Sequence, residues 1–396
     1  MSNILRLSVI LAFLCSAMNP LHAQWVGTNL PNSYGVLTLA VSGTNLFAGT
    51  DDKGIFCSTD SGTSWNAADT GLTNTYVKAL AVSGTNLFAG TYGGGVFLST
   101  NAGASWAAVN TGLRNTYVNA LVVSDTNLFA GTDSGRISLS TNSGTSWIRS
   151  DSSLKDEYGH VMANPIQTLA VLVMNICAGD FDGPFFLSTD NGTSWTATGF
   201  GYDMRALAVI RTNLFAGTFG DGVFLSTDSG ASWTKVNSGL TDLYVNALAV
   251  SGTNLFAGTN YGCFLSTNNG STWTAVTTGM EGNSVLSFVV SGPNLFAGGS
   301  LHHVWRRPLS EMITDVKNNR NSVPMQFSLS QNYPNPFNPS TNVSFNLPSQ
   351  SFVSLRVFDM LGREVSTIVS EEMSAGSYTR QWNAANMSSG MYFCRL

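Results

Sequence analysis

Between Asn45 and Gly298 the chain writes a near-copy of Asn-Leu-Phe-Ala-Gly seven times, starting at Asn45, Asn86, Asn127, Asn175, Asn213, Asn254 and Asn294. The spacings are 41, 41, 48, 38, 41 and 40 residues. After six of the copies comes Ser-Thr-(Asp/Asn)-x-Gly-x-(Ser/Thr)-Trp. One such unit is too small to bury its own apolar face, so it must be covered by its neighbours in a solenoid, a propeller or an array.

Within a unit the pattern predicts four strands. In the second they are Val77–Val82, Asn86–Gly90, Gly95–Ser99 and a last strand beginning at Trp106. The middle two are apolar without alternation. A strand with one wet face alternates, whereas one covered on both faces does not. A propeller blade lies between two others, and four strands per ~40 residues is the propeller period. The seventh unit runs through Ser284–Val290, Asn294–Gly298 and His303–Pro308 and then lacks its last strand. Gln24–Leu30 matches Ser105–Thr111. Trp25 is therefore expected to supply the outer strand of blade seven, so that residues 24–310 form a seven-bladed β-propeller closed by its own N-terminus.

Charged residues make up only 10% of the chain, against ~25% in ordinary soluble proteins. With a net charge of -5 and no basic stripe, the chain has no electrostatic support for binding nucleic acid. Residues 1–23 read as a secretory signal: Arg6, an apolar core from Leu7 to Leu14 too short to span a bilayer, and Leu21-His22-Ala23 before a cut at Gln24. Bulky Leu14 argues against a lipoprotein site at Cys15. No transmembrane segment is expected once the signal is removed. Cys57, Cys177 and Cys263 stand where other repeats carry Leu, Phe or Val, which suits free thiols acting as small hydrophobes. No metal-ligand spacing occurs, and no metal or cofactor is expected.

Each Ser…Trp segment has the composition of a tight hairpin turn. Asp60, Asn101, Asn142, Asp190, Asp228 and Asn268 are placed to accept backbone N–H groups inside the turn. The glycine two residues later permits positive φ. Trp65, Trp106, Trp147, Trp195, Trp233 and Trp273 are expected to pack between blades. Half the acidic positions are Asn, an exchange that a turn acceptor tolerates better than a metal ligand or catalytic acid does. The six segments resemble the Asp-box (BNR) repeat of sialidases and many other propellers. That resemblance implies a structural role for the boxes and an active or binding face at the opposite end.

At that opposite end the connections vary most from blade to blade, and variable loops on a rigid scaffold carry function. Candidate ligand-binding residues are Asp51, Asp52, Tyr92, Asp133, Phe181, Asp182, Phe219, Asp221, Tyr261 and His302. The adjoining loops repeat a tyrosine: Tyr34, Tyr76, Tyr117, Tyr158, Tyr202 and Tyr244. Aromatic plates beside Asp and Asn suit a sugar or a peptide, while recurrence in every repeat also fits a packing role. Residues 150–165 insert Lys155–His160 into one of these loops, as a binding lid or an inert excursion. A sialidase-type glycoside hydrolase needs three arginines, a Tyr nucleophile backed by Glu, and an Asp acid. Here the Arg-Ile-Pro element is absent, and Glu157 and Glu281 are the only glutamates from Gln24 to Ser310. The expectation is no enzymatic activity and no catalytic residues. The repeats are also similar to propellers related to photosystem II assembly factors, a resemblance that implies protein partners. A structural surface protein without a ligand is the third reading.

From Glu311 to Val323 the repeat ends and the chain turns polar, as expected of a linker. Alternating strands follow at Val343–Leu347, Val353–Phe358, Glu364–Val369, Tyr378–Asn383 and Met391–Cys394, which predicts a small Ig-like antiparallel β-sandwich over 324–396. Tyr333-Pro334-Asn335-Pro336-Phe337-Asn338-Pro339, Val357–Val365 and Ser389-Gly390-Met391-Tyr392-Phe393 resemble the type A sorting domain of the type IX secretion system. This implies passage through the periplasm, recognition by the type IX machinery, and a final location in the medium or on the outer-membrane surface. Members of that family normally continue beyond the equivalent of Leu396 by one more strand, which leaves an unpaired edge expected here. The whole chain is thus expected to be all-β: a seven-bladed propeller followed by a sandwich, exported to bind an unknown extracellular protein or glycan.

Overall fold

A computed structural model describes residues 24–28, 30–31, 35–150, 164–181, 183–280, 282–300, 303–318, 328–329, 332, 339–374, 376–385, 387 and 390–396. The chain divides into two compact units, one ending at Ile313 and one beginning at Thr314. The expected signal segment, Tyr34, Asp182, His302, Tyr158 with the rest of the inserted Lys155–His160, and the Tyr333–Asn338 stretch lie outside the described residues.

Among the described residues the first unit is seven four-stranded antiparallel sheets, six of them meanders and the seventh completed by the N-terminal strand. Their innermost strands are Val36–Ser42, Val77–Ser83, Val118–Ser124, Ile166–Leu172, Met204–Ile210, Val245–Ser251 and Val285–Ser291, in blades one to seven. Each packs against the next, and Val285–Ser291 packs against Val36–Ser42, so the sheets close a ring. In blade seven the outer strand is Val26–Gly27, with Val26 opposite Arg306 and Gly27 opposite Trp305. First and last segments of the propeller thus share one sheet.

The pentapeptide repeat explains the packing. In blade one, Leu46 and Ala48 join the cluster that includes Phe296 and Val304 of blade seven. Phe47, between them, joins the cluster that includes Leu87 and Phe97 of blade two. Successive side chains point to opposite faces, and here both faces are dry. The glycine that ends the pentapeptide is a spacing device. A Cβ on Gly49 would lie 2.7 Å from Val77 Cγ1 of the next blade. The same clash recurs around the ring, ending with Gly298 against Val36. Only glycine lets neighbouring blades approach this closely.

The box turns are satisfied internally. In blade one Asp60 Oδ1 accepts from the Ser58 hydroxyl and the Ser64 N–H, both at 2.8 Å, and Gly62 N–H donates to Ser58 Oγ at 2.8 Å. In blade two Asn101 Oδ1 does the same for Ser99 and Ser105 at 2.9 Å. Only the second atom differs: Asp60 Oδ2 accepts from the Ser64 hydroxyl, whereas Asn101 Nδ2 donates to Ser105 Oγ. A hydroxyl can serve either way, which is why Asp and Asn alternate freely. Five of the box tryptophans donate their indole N–H to the preceding blade, as Trp106 does to Ala68 O at 2.7 Å and Trp273 to Val236 O at 2.7 Å. Trp25 makes the equivalent bond to Val276 O in blade six, at 2.7 Å. Trp233 instead bonds within its own turn, to Gly230 O, and its ring lies 5.3 Å from Phe185 of blade four.

The polar stretch after the propeller starts in a helix, α1 (Leu309–Asn318). Leu309, Met312 and Ile313 recur at helical spacing, Met312 is fully buried, and Glu311 sits in the first turn where the helix dipole favours it. Read for polarity alone, this stretch looks like a linker.

Among its described residues the second unit has two three-stranded sheets. One orders Ser328–Leu329, Ser340–Leu347 and Gly376–Asn383; the other orders Glu364–Met373, Ser351–Phe358 and Phe393–Arg395. Alternate residues Val343, Phe345, Leu347, Val353 and Leu355 form its core with Val369 and Met373. The Asp359–Arg363 segment makes a hairpin turn: Asp359 Oδ1 accepts from the Leu361 and Arg363 N–H groups at 2.9 Å, and Arg363 Nε donates to Oδ2 at 2.8 Å.

Candidate functional site

In an antiparallel meander the Ser…Trp turns lie at one end, and the second-to-third-strand loops lie at the other with the links between blades. At that second end each inner strand carries a β-bulge after its first residue. In blade two Val77 pairs with Thr91 and Ala79 with Gly90, so Lys78 is squeezed out of register. The bulge recurs in all seven blades. A bulge bends the strand and re-aims a side chain. The residues it displaces are Leu37, Lys78, Asn119, Gln167, Arg205, Asn246 and Leu286. Adjacency of the inner strands gathers them into a ring at the loop end of the central channel.

Around this ring stand aromatic side chains, each set by a local turn. Tyr76 and Tyr117 N–H groups donate to Asn74 and Asn115 two residues earlier, at 3.0 and 2.8 Å, and the Tyr244 N–H to Asp242 at 3.1 Å. These are Asx turns. The third-strand loops then bring a partner ring. Tyr92 packs 5.3 Å from Tyr76 and 4.8 Å from Tyr117, and Phe219 packs 4.9 Å from Tyr244. Tyr117, Phe181, Phe219, Tyr244 and Tyr261 are all exposed, Tyr261 at 69%. An accumulation of exposed aromatics on one face of a scaffold whose core is otherwise well covered makes this end the candidate interaction surface.

Two clusters join these rings to the bulged residues. In the first, Lys78 Nζ lies 5.0 Å from the Tyr92 ring centroid and donates to Asn119 Oδ1 at 2.8 Å. Asp133 sits 3.5 Å from both the Tyr92 hydroxyl and Asn119 Nδ2. Burial pulls the Lys78 ammonium below its usual pKa, the Asp133 carboxylate partly opposes that, and the Arg205 cation adds to the lowering. The same carboxylate is the main cause of the raised Tyr92 phenol. In the second cluster Arg205 donates from Nε and Nη2 to Asp203 Oδ2 at 3.1 and 2.8 Å. Its guanidinium lies 4.8 Å from the Phe219 ring and 5.2 Å from that of Phe181. A third bulged residue, Asn246, donates to Asn260 Oδ1 at 2.9 Å.

The candidate residues named from sequence therefore fall in different places. Tyr92 and Asp133 share one cluster, and Phe181 and Phe219 share the other. Tyr261 is held by its backbone N–H to Asp242 at 3.0 Å and leaves its ring in solvent. Asp51 accepts from Gly35 N–H at 2.9 Å and Asp52 lies 3.4 Å from its neighbour Lys53, which orders the blade-one loop. Asp221 is paired at 2.8 Å with Lys235 on the outer strand, away from the ring. The recurring Tyr202 is packed against Phe200 and Phe224. Sequence reasoning did not single out Lys78, Asn119, Asp203, Arg205 or Asn246. The signal was there: in the near-constant inner strand, the second position varies most in chemical character, from Leu to Asn and Gln to Lys and Arg.

Residues 331–396 match the secretion system C-terminal sorting domain family. The chain carries a type IX sorting domain. That domain directs export to the cell surface or the medium, and no helix among the described residues is long and apolar enough to cross a membrane. No match was found among curated proteins. Among solved structures, YCF48 from Cyanidioschyzon merolae is similar, with a TM-score of 0.59 and 15% identity over 73% of this chain and 100% of that one. YCF48 bound to D1 peptide gives 0.59 and 15%, over 72% and 97%. The Niastella koreensis GH74 enzyme gives 0.51 and 16%, over 72% of this chain and 43% of that one. At these identities the likeness is one of fold: the propeller.

Proposed function

We propose that the exported chain is a non-enzymatic binding propeller that takes an extracellular protein or glycan on its loop face. One observation carries this reading: exposed aromatic side chains gather around a ring of bulged, chemically unlike residues at one end of a scaffold that is otherwise uniform. A binding surface needs rigid support and variable contacts, and aromatic groups supply much contact area for little lost entropy. A propeller of the same fold is described in complex with a peptide, which supports the use of this scaffold for recognition.

The test is the mature chain applied to glycan and surface-protein arrays, beside a Tyr117→Ala/Phe219→Ala/Tyr244→Ala variant. The expected result is a ligand retained by the natural chain and lost by the variant. Equal retention would move the binding surface elsewhere. Turnover of fluorogenic glycosides by the natural chain would overturn the non-enzymatic part.

A further inference from the structure

Lys78 and Arg205 belong to blades two and five, three blades apart in a ring of seven, so they stand on opposite sides of the channel mouth. Each cation is already matched from its own side. Lys78 has the Asn119 carbonyl oxygen, the Tyr92 ring and the nearby Asp133 carboxylate. Arg205 has its fork closed on Asp203 and its plane flanked by Phe181 and Phe219. The Arg205 charge also reaches Lys78 across the mouth, but each cation has a carboxylate of its own close by, so an anionic ligand would have to compete with carboxylates already in place. What the ring offers is planar amide, carboxylate and guanidinium groups beside exposed aromatic rings, at two points. Such a set suits a molecule with hydroxyls on its edge and C–H bonds on its face: the hydroxyls both donate and accept, and the C–H face lies on the ring. Hydrogen bonds from charged partners strengthen that grip.

We propose, resting on the binding reading above, that the bulged residues are the specificity-determining ring of this propeller, and that the ligand is a neutral oligosaccharide segment held at two points, Tyr92–Lys78–Asn119 and Phe219–Arg205–Asp203. The two points differ in composition, so they read a chain directionally.

The experiment is calorimetric titration of the mature chain with neutral hexaoses (cellohexaose, laminarihexaose, mannohexaose and chitohexaose), with hexagalacturonate, and with a library of unstructured peptides. One neutral hexaose is expected to bind. Tyr92→Leu and Arg205→Ala should each weaken it about tenfold or more, the double variant by roughly the product of the two. Asn101→Asp, in a turn at the other end, should leave binding unchanged, with melting curves showing every variant folded. The proposal is overturned if no neutral hexaose binds at about 1 mM, if hexagalacturonate or peptides bind instead, or if folded Tyr92→Leu and Arg205→Ala chains bind the hexaose as the natural chain does. A peptide or protein that binds the natural chain and is lost by the Tyr117/Phe219/Tyr244 variant would sink the sugar assignment and leave the binding propeller standing. No ligand of any class on the loop face would sink both.

Discussion

At the box end of the propeller, six blades repeat one hydrogen-bond pattern, with a serine hydroxyl, an Asp or Asn Oδ1 and a glycine N–H closing the turn within about 0.1 Å of the same geometry. At the loop end the same strands vary: leucine, lysine, asparagine, glutamine, arginine, asparagine and leucine stand at one equivalent bulge, five residue types in seven blades. The first end uses its polar groups up on itself. The second pairs them only partly and leaves aromatic faces in solvent. Uniformity where groups are internally satisfied, and variety where they are not, separates the part of a repeat that holds the ring together from the part free to meet a ligand.

The largest test of that contrast is Trp25→Ala. Trp25 is 2% exposed and ties the N-terminal strand to blade six, so its loss should cost about 3–5 kcal/mol, read by denaturant unfolding. An unchanged midpoint would mean that the ring is not held shut there. Next is Ser99→Ala, which strands the buried Gly103 N–H and should cost about 1–3 kcal/mol. A smaller effect is expected with acid. The Ser64 and Ser232 hydroxyls and N–H groups hold Asp60 and Asp228 down to about 2, and Asp190 is lowered in the same way by Ser194. A carboxylate depressed in the fold stabilises it fully above its unfolded value of ~3.9 and loses that contribution as pH falls through the folded one. The melting temperature should therefore drop more between about pH 4 and pH 2 in the natural chain than in an Asp60→Asn/Asp190→Asn/Asp228→Asn variant, whose turns keep the Oδ1 acceptor. Parallel acid profiles would show that the acidic boxes contribute nothing special. Smallest of all, Tyr261→Ser at the loop end should shift stability by no more than ~0.5 kcal/mol, because its ring touches mostly water. A large loss there would erase the distinction between the two ends.

Much of the propeller was readable in the chain because its signals are local and repeated. The non-alternating Asn-Leu-Phe-Ala-Gly strands announced a sheet dry on both faces, and Phe47 and Leu46 indeed face different neighbours. The sandwich strands were readable from period-two patterning. Helix α1 was missed because polarity outweighed the spacing of Leu309, Met312 and Ile313. The site was less legible. Tyr92 with Asp133, and Phe181 with Phe219, were in view as variable loop residues, but nothing local says that Asp221 turns outward to Lys235. Lys78 and Arg205 sit inside apolar-looking strands, and the bulge that brings them to the channel mouth is visible only in the pairing register.

By itself, then, the amino-acid sequence determined the unit, its strands, the turn chemistry of the boxes and the export route, all of which depend on residues near one another along the chain. The tertiary structure alone decided which side chains meet. Lys78 reaches Asn119, and Arg205 lies between Phe181 and Phe219, because each blade is wedged against the next at a distance set by the Gly49–Val77 approach and its six counterparts. That distance belongs to the closed ring and to no single repeat.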